Sequence, residues 1–441
     1  MKDLAQRSRE AVWHPCTQMK RHESEPPLAI ASAQGEWLID TEGRRYVDGV
    51  SSWWVNLFGH NHAPIKAAIT DQLNRVEHVM LAGLTHEPVV ELSERLAKLT
   101  GLGHAFYGSD GASATEIALK MSAHFWRNKG KPQKNRFVGL SGGYHGETAG
   151  ALSVTDIDIF RQAYAALARV SDTVPTPDAR LARAGETTAD VALRCASHLE
   201  AWLQRNHRET AALIVEPLVQ CAAGMVMYDA SYLQLARDLC DHYQVHLVVD
   251  EIATGFGRTG SMFAHQQANI KPDFVCLSKG LTGGYLPLST VLTTDEVYAA
   301  FYDDSVARGF LHSHSYTGNP LACRAALAVL DEFASRDVMA DNATRAAQLD
   351  AIWAPIAADP RTANARRQGM IWAWDVPLAP ATFSSRFAQA ALQAGALIRP
   401  ITTAQGATIY FMPPYCIGDE AAQVMLSATQ TAMNAALEIT A

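Results

Sequence analysis

Between about residues 64 and 335 the apolar positions follow two alternating rhythms. Short β-rich runs, HAFYG, RFVGL, AALIVEP, HLVVDE, DFVCLSK and PLSTVLTT, are separated by stretches whose apolar residues recur at helical spacing. Strands alternating with helices imply βαβ units and a mostly parallel sheet. One helix is sharply drawn. Ala114, Ile117, Ala118, Met121 and Phe125 share an apolar face opposite Lys120, His124 and Arg127, and the pattern starts just after Gly111. Beyond 335 the rhythm changes to a helix over 342–357, a strand IWAWDV, a helix over 383–394, strands ALIRPI and ATIYFMPP, and a final helix, which reads as a separate α+β domain. The chain thus divides into residues 1–60, expected to pack with the small domain because they precede the βα rhythm, a large domain 61–335, and a small domain 336–441. The boundary falls along a helix that begins near Pro320, and SDTVPTPDARLARAGETTA (171–189) reads as a polar surface connection.

Composition narrows the picture. The 441 residues are 48% hydrophobic and 19% charged, a globular balance with room for a sizeable core. A formal charge of −8 argues against nucleic acid or anionic lipid as the main partner and favours small molecules. The opening MKDLAQRSREAVWHP has no apolar h-region, and no run approaches the ~18 apolar residues of a membrane span, so a cytoplasmic protein is expected. The seven cysteines are scattered and never form CxxC, which reads as reduced thiols. His60 with His62 and His312 with His314 form HxH pairs, but neither has a Cys or carboxylate at ligand spacing, so no metal site is expected.

Three segments carry chemistry. In HLVVDEIATGFGRTG an apolar run ends in Asp250 and Glu251, placing acids at the carboxyl edge of a sheet, where ligands bind in open α/β folds. Gly255, Gly257 and Gly260 match GxGxxG literally, but they lie four residues beyond the strand with no clear helix after them, so they are not a dinucleotide fingerprint. PDFVCLSK ends at Lys279. It can be read as an ordinary strand-end lysine whose stem lies on apolar surface, or as an amine whose pKa desolvation depresses, freeing it for Schiff-base chemistry. FYGSDGASATEIALK opens the amphipathic helix with small residues. Ser109 or Asp110 could simply cap it, or its first amides could seat a phosphate. An acid and a lysine at adjacent strand ends, together with a phosphate seat, meet the demands of pyridoxal phosphate: protonation of the ring nitrogen, a covalent anchor and a phosphate hold.

DEIATGFGRTG and LSKGLTGGYLPLS resemble the class III aminotransferases, a fold-type I pyridoxal-phosphate family, and the likeness runs over nearly the whole chain. Trp13-His14-Pro15, DGVSSWWVNLFGHNH, GGYHGET and MPPY at 412–415 are similar to its biotin-pathway branch, which aminates 8-amino-7-oxononanoate with S-adenosylmethionine as donor. The resemblance implies an α/β fold-type I transferase: a large domain with a mostly parallel central sheet flanked by helices, and a smaller α+β domain. It implies pyridoxal 5'-phosphate as cofactor, Lys279 as Schiff-base residue and general base, Asp250 at the pyridine nitrogen, Tyr144 stacked on the ring and Ile252 on its other face. Gly111, Ala112 and Ser113 would seat the phosphate. Ser315 would reach it from the partner subunit, which implies a homodimer with shared sites. Trp53 and Trp54 would line the substrate's apolar chain, Arg399 would bind its carboxylate, and Ser313 would join Tyr144 and Lys279 on the substrate side. The two tryptophans also read as packing residues and Arg399 as a surface ion pair; Glu216, at the end of AALIVEP, has no assigned role.

Four positions depart from the family pattern. Cys16 stands where the branch usually has Tyr, Ala112 brings no hydroxyl to the phosphate loop, and Ser313 and His314 replace small residues or proline. Another ω-amino acid or diamine transaminase, a decarboxylase or aminomutase on the same scaffold, and a non-catalytic cofactor-binding protein are the alternative readings.

Overall fold

The computed structural model describes residues 3–437, so the first two and last four residues of the spans 1–60 and 336–441 lie outside it. Its centre is a seven-stranded sheet. In chain order the strands are β1 (His104–Gly108), β2 (Arg136–Leu140), β3 (Asp172–Val174), β4 (Thr210–Val215), β5 (His246–Asp250), β6 (Phe274–Leu277) and β7 (Ser289–Thr293). Across the sheet they run β1-β7-β6-β5-β4-β2-β3. β7 alone is antiparallel to its neighbours.

Six of these strands match the β-rich runs of the sequence. The seventh, β3, lies inside the segment read as a polar connection and corrects that expectation: it runs parallel to β2 at the sheet edge. Three residues leave too little periodicity to show, and an edge strand has only one side to pair.

β4 and β5 are buried along their whole length, which is why they read as unbroken apolar runs. Their alternate residues face opposite layers. Leu213, Val215, Leu247 and Val249 pack with the helices Thr188–Asn206 and Ser231–Tyr243. Ala212, Ile214 and Val248 pack with Ala114, Ile117, Ala118, Met121 and Phe125 of the helix Gly111–Asn128, the face the sequence marked as apolar.

In the C-terminal part an antiparallel sheet is built from Ala363–Gln368, Ile371–Pro377, Gly406–Phe411 and Ile401–Thr403. ALIRPI is not one strand, as expected, but two pieces. Ala396–Leu397 runs parallel to the N-terminal strand Arg45–Asp48, and Ile401–Thr403 turns to pair with Gly406–Phe411. Pro400, which has no N–H to give a ladder, falls in the break. Among the described residues no helix is long and apolar enough to cross a membrane.

The glycine-rich loop after β5 works as a docking turn. Gly257 and Gly260 have φ of +85° and +99°, and Arg258, fully buried, donates to the Pro413 and Asn56 carbonyls at 2.6 and 3.1 Å. Gly369, in the hairpin turn after Ala363–Gln368, sits on this loop. A Cβ there would lie 2.4 Å from the Thr259 carbonyl carbon and 2.5 Å from the Arg258 oxygen, at a φ of +58°. Neither neighbour is a flexible side-chain end. Gly369→Ala is therefore expected to lower stability by about 3 kcal/mol in denaturant titration, whereas Gly185→Ala, at positive φ in open space, should cost about 1 kcal/mol. Equal losses would show that the docking contact contributes nothing.

Candidate active site

Parallel β2, β4, β5 and β6 deliver their following residues to one carboxyl edge, where a cavity of about 500 Å³ opens. Tyr144, Glu216, Asp250 and Lys279 line it, with Asp110, Gly111 and Ala112 from the start of the helix Gly111–Asn128. The β5–β6 register sets Asp250 beside Cys276, three residues before Lys279. Of the residues named from the sequence, Gly111, Ala112, Tyr144, Asp250, Ile252, Lys279 and Trp54 all line this cavity.

Asp250 is buried and held from two sides. His145 Nδ1 donates to its Oδ2 at 2.7 Å, and the Ile252 amide donates to Oδ1 at 3.0 Å. His145 is itself buried, held by Thr155 Oγ1 on its amide and by a bond from Thr115 Oγ1 to its carbonyl, while its Nε2 has no partner in the chain. The carboxylate is thus aimed by a buried imidazole and a backbone amide within the protein.

Lys279 adopts a positive φ of +44°, strained for a residue with a Cβ, and its Nζ lies 4.7 Å from the centre of the Trp54 ring. Burial lowers its pKa below the usual lysine value, against the pull of Cys221, Asp250 and Glu216. Desolvation thus favours the free amine.

The helix entrance is capped by Asp110, which accepts the Ser113 amide at 2.8 Å and the Ser113 hydroxyl at 2.9 Å. Ser113 is therefore committed to the cap and does not line the cavity, whereas Gly111 and Ala112 contribute the first amides of the helix. The fit is close. A Cβ on Gly111 would come within 3.1 Å of Ile252, and one on Gly146 within 2.6 Å of the Ala112 Cβ.

Tyr144 donates its hydroxyl to Glu147 at 2.9 Å and its amide to Glu216 Oε2 at 3.0 Å. Burial and then the Glu147 carboxylate raise its pKa, so it stays a phenol. Trp54, only 7% exposed, lines the cavity and donates its Nε1 to Tyr410 at 3.0 Å, whereas its neighbour Trp53, 45% exposed, and Arg399 lie outside the lining. The Arg399 guanidinium sits 5.2 Å from the Trp53 ring centre, and the Cys16 thiol, raised by partial burial and then by Glu147, lies in the same electrostatic neighbourhood. Four consecutive residues here, Ser51 to Trp54, have positive φ, a left-handed turn that costs L-residues about 1–2 kcal/mol each.

Ser313 and Ser315 do not join this cluster. Both are exposed on the loop before the helix Pro320–Ser335, with the Ser315 carbonyl accepting from His78 Nε2 at 2.8 Å. His145 and Glu147 were missed in sequence although GGYHGET was singled out: nothing in the string says that His145 turns inward to β5 while Glu147 turns to the mouth.

Glu216 is buried and accepts the amides of Tyr144 and Cys221, both at 3.0 Å, so it ties the Tyr144 backbone to the turn after β4. Burial pushes its pKa from 4.5 up to about 7, Asp250 adding to the rise and His145 opposing it. The folded carboxyl keeps a proton that the unfolded chain has already released, so the associated stability is complete below about pH 4.5 and disappears as pH rises to about 7. Relative to Glu216→Gln, the wild type should lose on the order of 3 kcal/mol across that window. Denaturant titrations at several pH values read it, and parallel curves would refute the raised pKa.

Residues 18–433 match the family model for aminotransferase class III. The adenosylmethionine-8-amino-7-oxononanoate aminotransferase of Helicobacter pylori is 43% identical over 426 residues, 95% of this chain and 94% of the relative. The solved structure of the enzyme of that name from Methanocaldococcus jannaschii superposes with a TM-score of 0.90 at 32% identity, covering 98% of this chain and 99% of that one. An amine transaminase from an uncultivated Pseudomonas species, solved with PLP bound, gives 0.90 at 32%, covering 97% and 99%. With its edge of convergent acid, lysine and helix amides, and with this likeness along nearly its whole length, the chain belongs to the class III aminotransferases.

Proposed function

We propose that the protein transfers an amino group to 8-amino-7-oxononanoate, forming 7,8-diaminononanoate, with S-adenosylmethionine as donor and pyridoxal 5'-phosphate as cofactor. The observation that carries the reading is the 43% identity to a relative of that name over 95% of the chain. The pocket's chemistry agrees with it. An enclosed lysine, a fixed carboxylate and a helix entrance fit the aldehyde, ring nitrogen and phosphate of the cofactor. When bound, that group supplies an electron sink for the carbon that gains or loses the amine.

In this reading each protein group has a bounded task. Asp250, aimed by His145, would hold a proton at the ring nitrogen. Gly111 and Ala112 would present amides to the phosphate, and Tyr144 and Ile252 would enclose the ring. Lys279, whose burial disfavours its charged form, would take a proton from the donor carbon and return one to the acceptor carbon. Glu216 holds Tyr144 in place through its amide. Trp53 and Trp54 form the wall for the acceptor's chain, Arg399 takes its carboxylate, and Glu147 gives the mouth a negative charge suited to cationic substrates.

We also propose a homodimer in which Ser315 completes the partner's phosphate site. The loop that carries it exposes Leu311 at 80% and Tyr316 at 64%, apolar surface suited to a second copy of the chain. Purified protein should sediment at twice 47.9 kDa, and a monomer at micromolar concentration would remove the shared site.

The decisive assay is formation of 7,8-diaminononanoate by the purified holoenzyme, tested with S-adenosylmethionine and with lysine as donor. Product with the first supports the whole reading, product only with lysine changes the donor, and none with either rejects the substrate. A wider panel of ω-amino acids and diamines tests the neighbouring activity. Lys279→Ala should lower turnover by at least about a thousandfold, and borohydride should no longer fix the cofactor to the chain. Retained turnover would remove Lys279 as the base.

A further inference from the structure

The left-handed turn Ser51–Trp54 is held from below by a side chain outside the cavity. Asp48, the last residue of the strand Arg45–Asp48, is fully buried. Its Oδ1 accepts the Ser52 amide at 2.9 Å, and its Oδ2 accepts the Ser52 hydroxyl at 2.7 Å and His60 Nε2 at 3.0 Å. The turn closes through the Trp54 amide to the Val50 carbonyl at 2.8 Å and the Val55 amide to the Ser51 carbonyl at 3.0 Å. Ser51 Oγ anchors it to the Met412 carbonyl at 2.7 Å.

All four residues carry a Cβ, and their φ values are +50°, +47°, +73° and +71°. Each pays a steric penalty in this form, so the turn persists only because its surroundings over-determine it. Its product is a division of two neighbouring indoles. Trp54 turns inward to Tyr410 and Lys279, while Trp53 stays at the rim beside Arg399.

We propose that Asp48 is a positioning residue for the acceptor: its carboxylate holds the turn in its left-handed form, and that form sets Trp53 and Trp54 as the wall along which the acceptor's chain lies. The inference rests on the reading of those tryptophans as that wall. Asp48 lies outside the cavity lining and reaches the tryptophans through its two bonds to Ser52, its other side-chain partner being His60.

The test compares holoenzymes carrying Asp48→Ala, Asp48→Ala with Ser52→Gly, and Trp54→Ala, with KM for 8-amino-7-oxononanoate, kcat and the absorbance of bound cofactor read for each. Glycine adopts a positive φ without penalty, so it should relieve the clamp of its duty. Asp48→Ala is expected to raise KM about tenfold with kcat changed less than about threefold and cofactor loading intact, and Ser52→Gly should recover most of that loss. An unchanged KM in Asp48→Ala, or no recovery with glycine, overturns the clamp. An unchanged KM in Trp54→Ala sinks the underlying reading of the wall, whatever Asp48 does. Should Asp48→Ala fail to load cofactor, Ser52→Ala and Ser52→Gly decide the matter. Both remove the hydroxyl bond and only glycine removes the strain, so Ser52→Ala should raise KM about threefold and Ser52→Gly less, and equal effects overturn the proposal.

Discussion

The parallel register of β5 against β6 is the constraint on which the site depends. Asp250 pairs with Cys276, so both strands end at the same edge, and Lys279 enters the cavity a few residues beyond the carboxylate. β2 and β4 end on that edge too, which is how Tyr144 and Glu216, 72 residues apart, come to share a hydrogen bond. Burying an amine, a histidine and two carboxyls together is costly unless each is paired. Here Asp250 is paired by His145 and a backbone amide and Glu216 by two amides, whereas for Lys279 burial outweighs the pull of the nearby acids and disfavours the charged form.

The remaining wall comes from segments remote in sequence. Trp54 is bonded to Tyr410, Ser51 to Met412, and Arg258 to both Asn56 and Pro413, so the N-terminal turn, the loop after β5 and the C-terminal strand Gly406–Phe411 close on one another. Backbone strain is present at this junction, at Lys279 and in the turn Ser51–Trp54, where surrounding bonds hold conformations that the local chain disfavours. A sheet edge therefore sets one side of the cavity, and a strained, cross-linked turn that carries Trp54 sets another.

The backbone alone does not choose the substrate. An amine transaminase and an oxononanoate aminotransferase superpose equally well, both at 0.90. Under the proposed function, discrimination is assigned to the side chains of Trp53, Trp54, Glu147, Arg399 and Cys16. Those side chains offer a carboxylate, a guanidinium and two indoles, groups that can tell apart ligands of different charge and apolar length.

The sequence by itself determined the α/β architecture, the helix after Gly111, and the placing of Asp250, Lys279 and a helix entrance on one edge. Those features follow from local periodicity and from the rule that parallel strands present their carboxyl ends together. It also exposed the GxGxxG match as unconnected with dinucleotide binding, because the glycines stand in the wrong relation to the strand. It did not reveal the edge strand Asp172–Val174, too short for a pattern, or the division of ALIRPI between two sheets. Nor could it show that Ser113 is spent on a cap, that His145 turns inward to aim Asp250, or that Asp48 grips a left-handed turn. Each of these depends on which atoms become neighbours once distant segments pack, and hydrogen bonds between residues far apart in the chain leave no periodic trace in the string that encodes them.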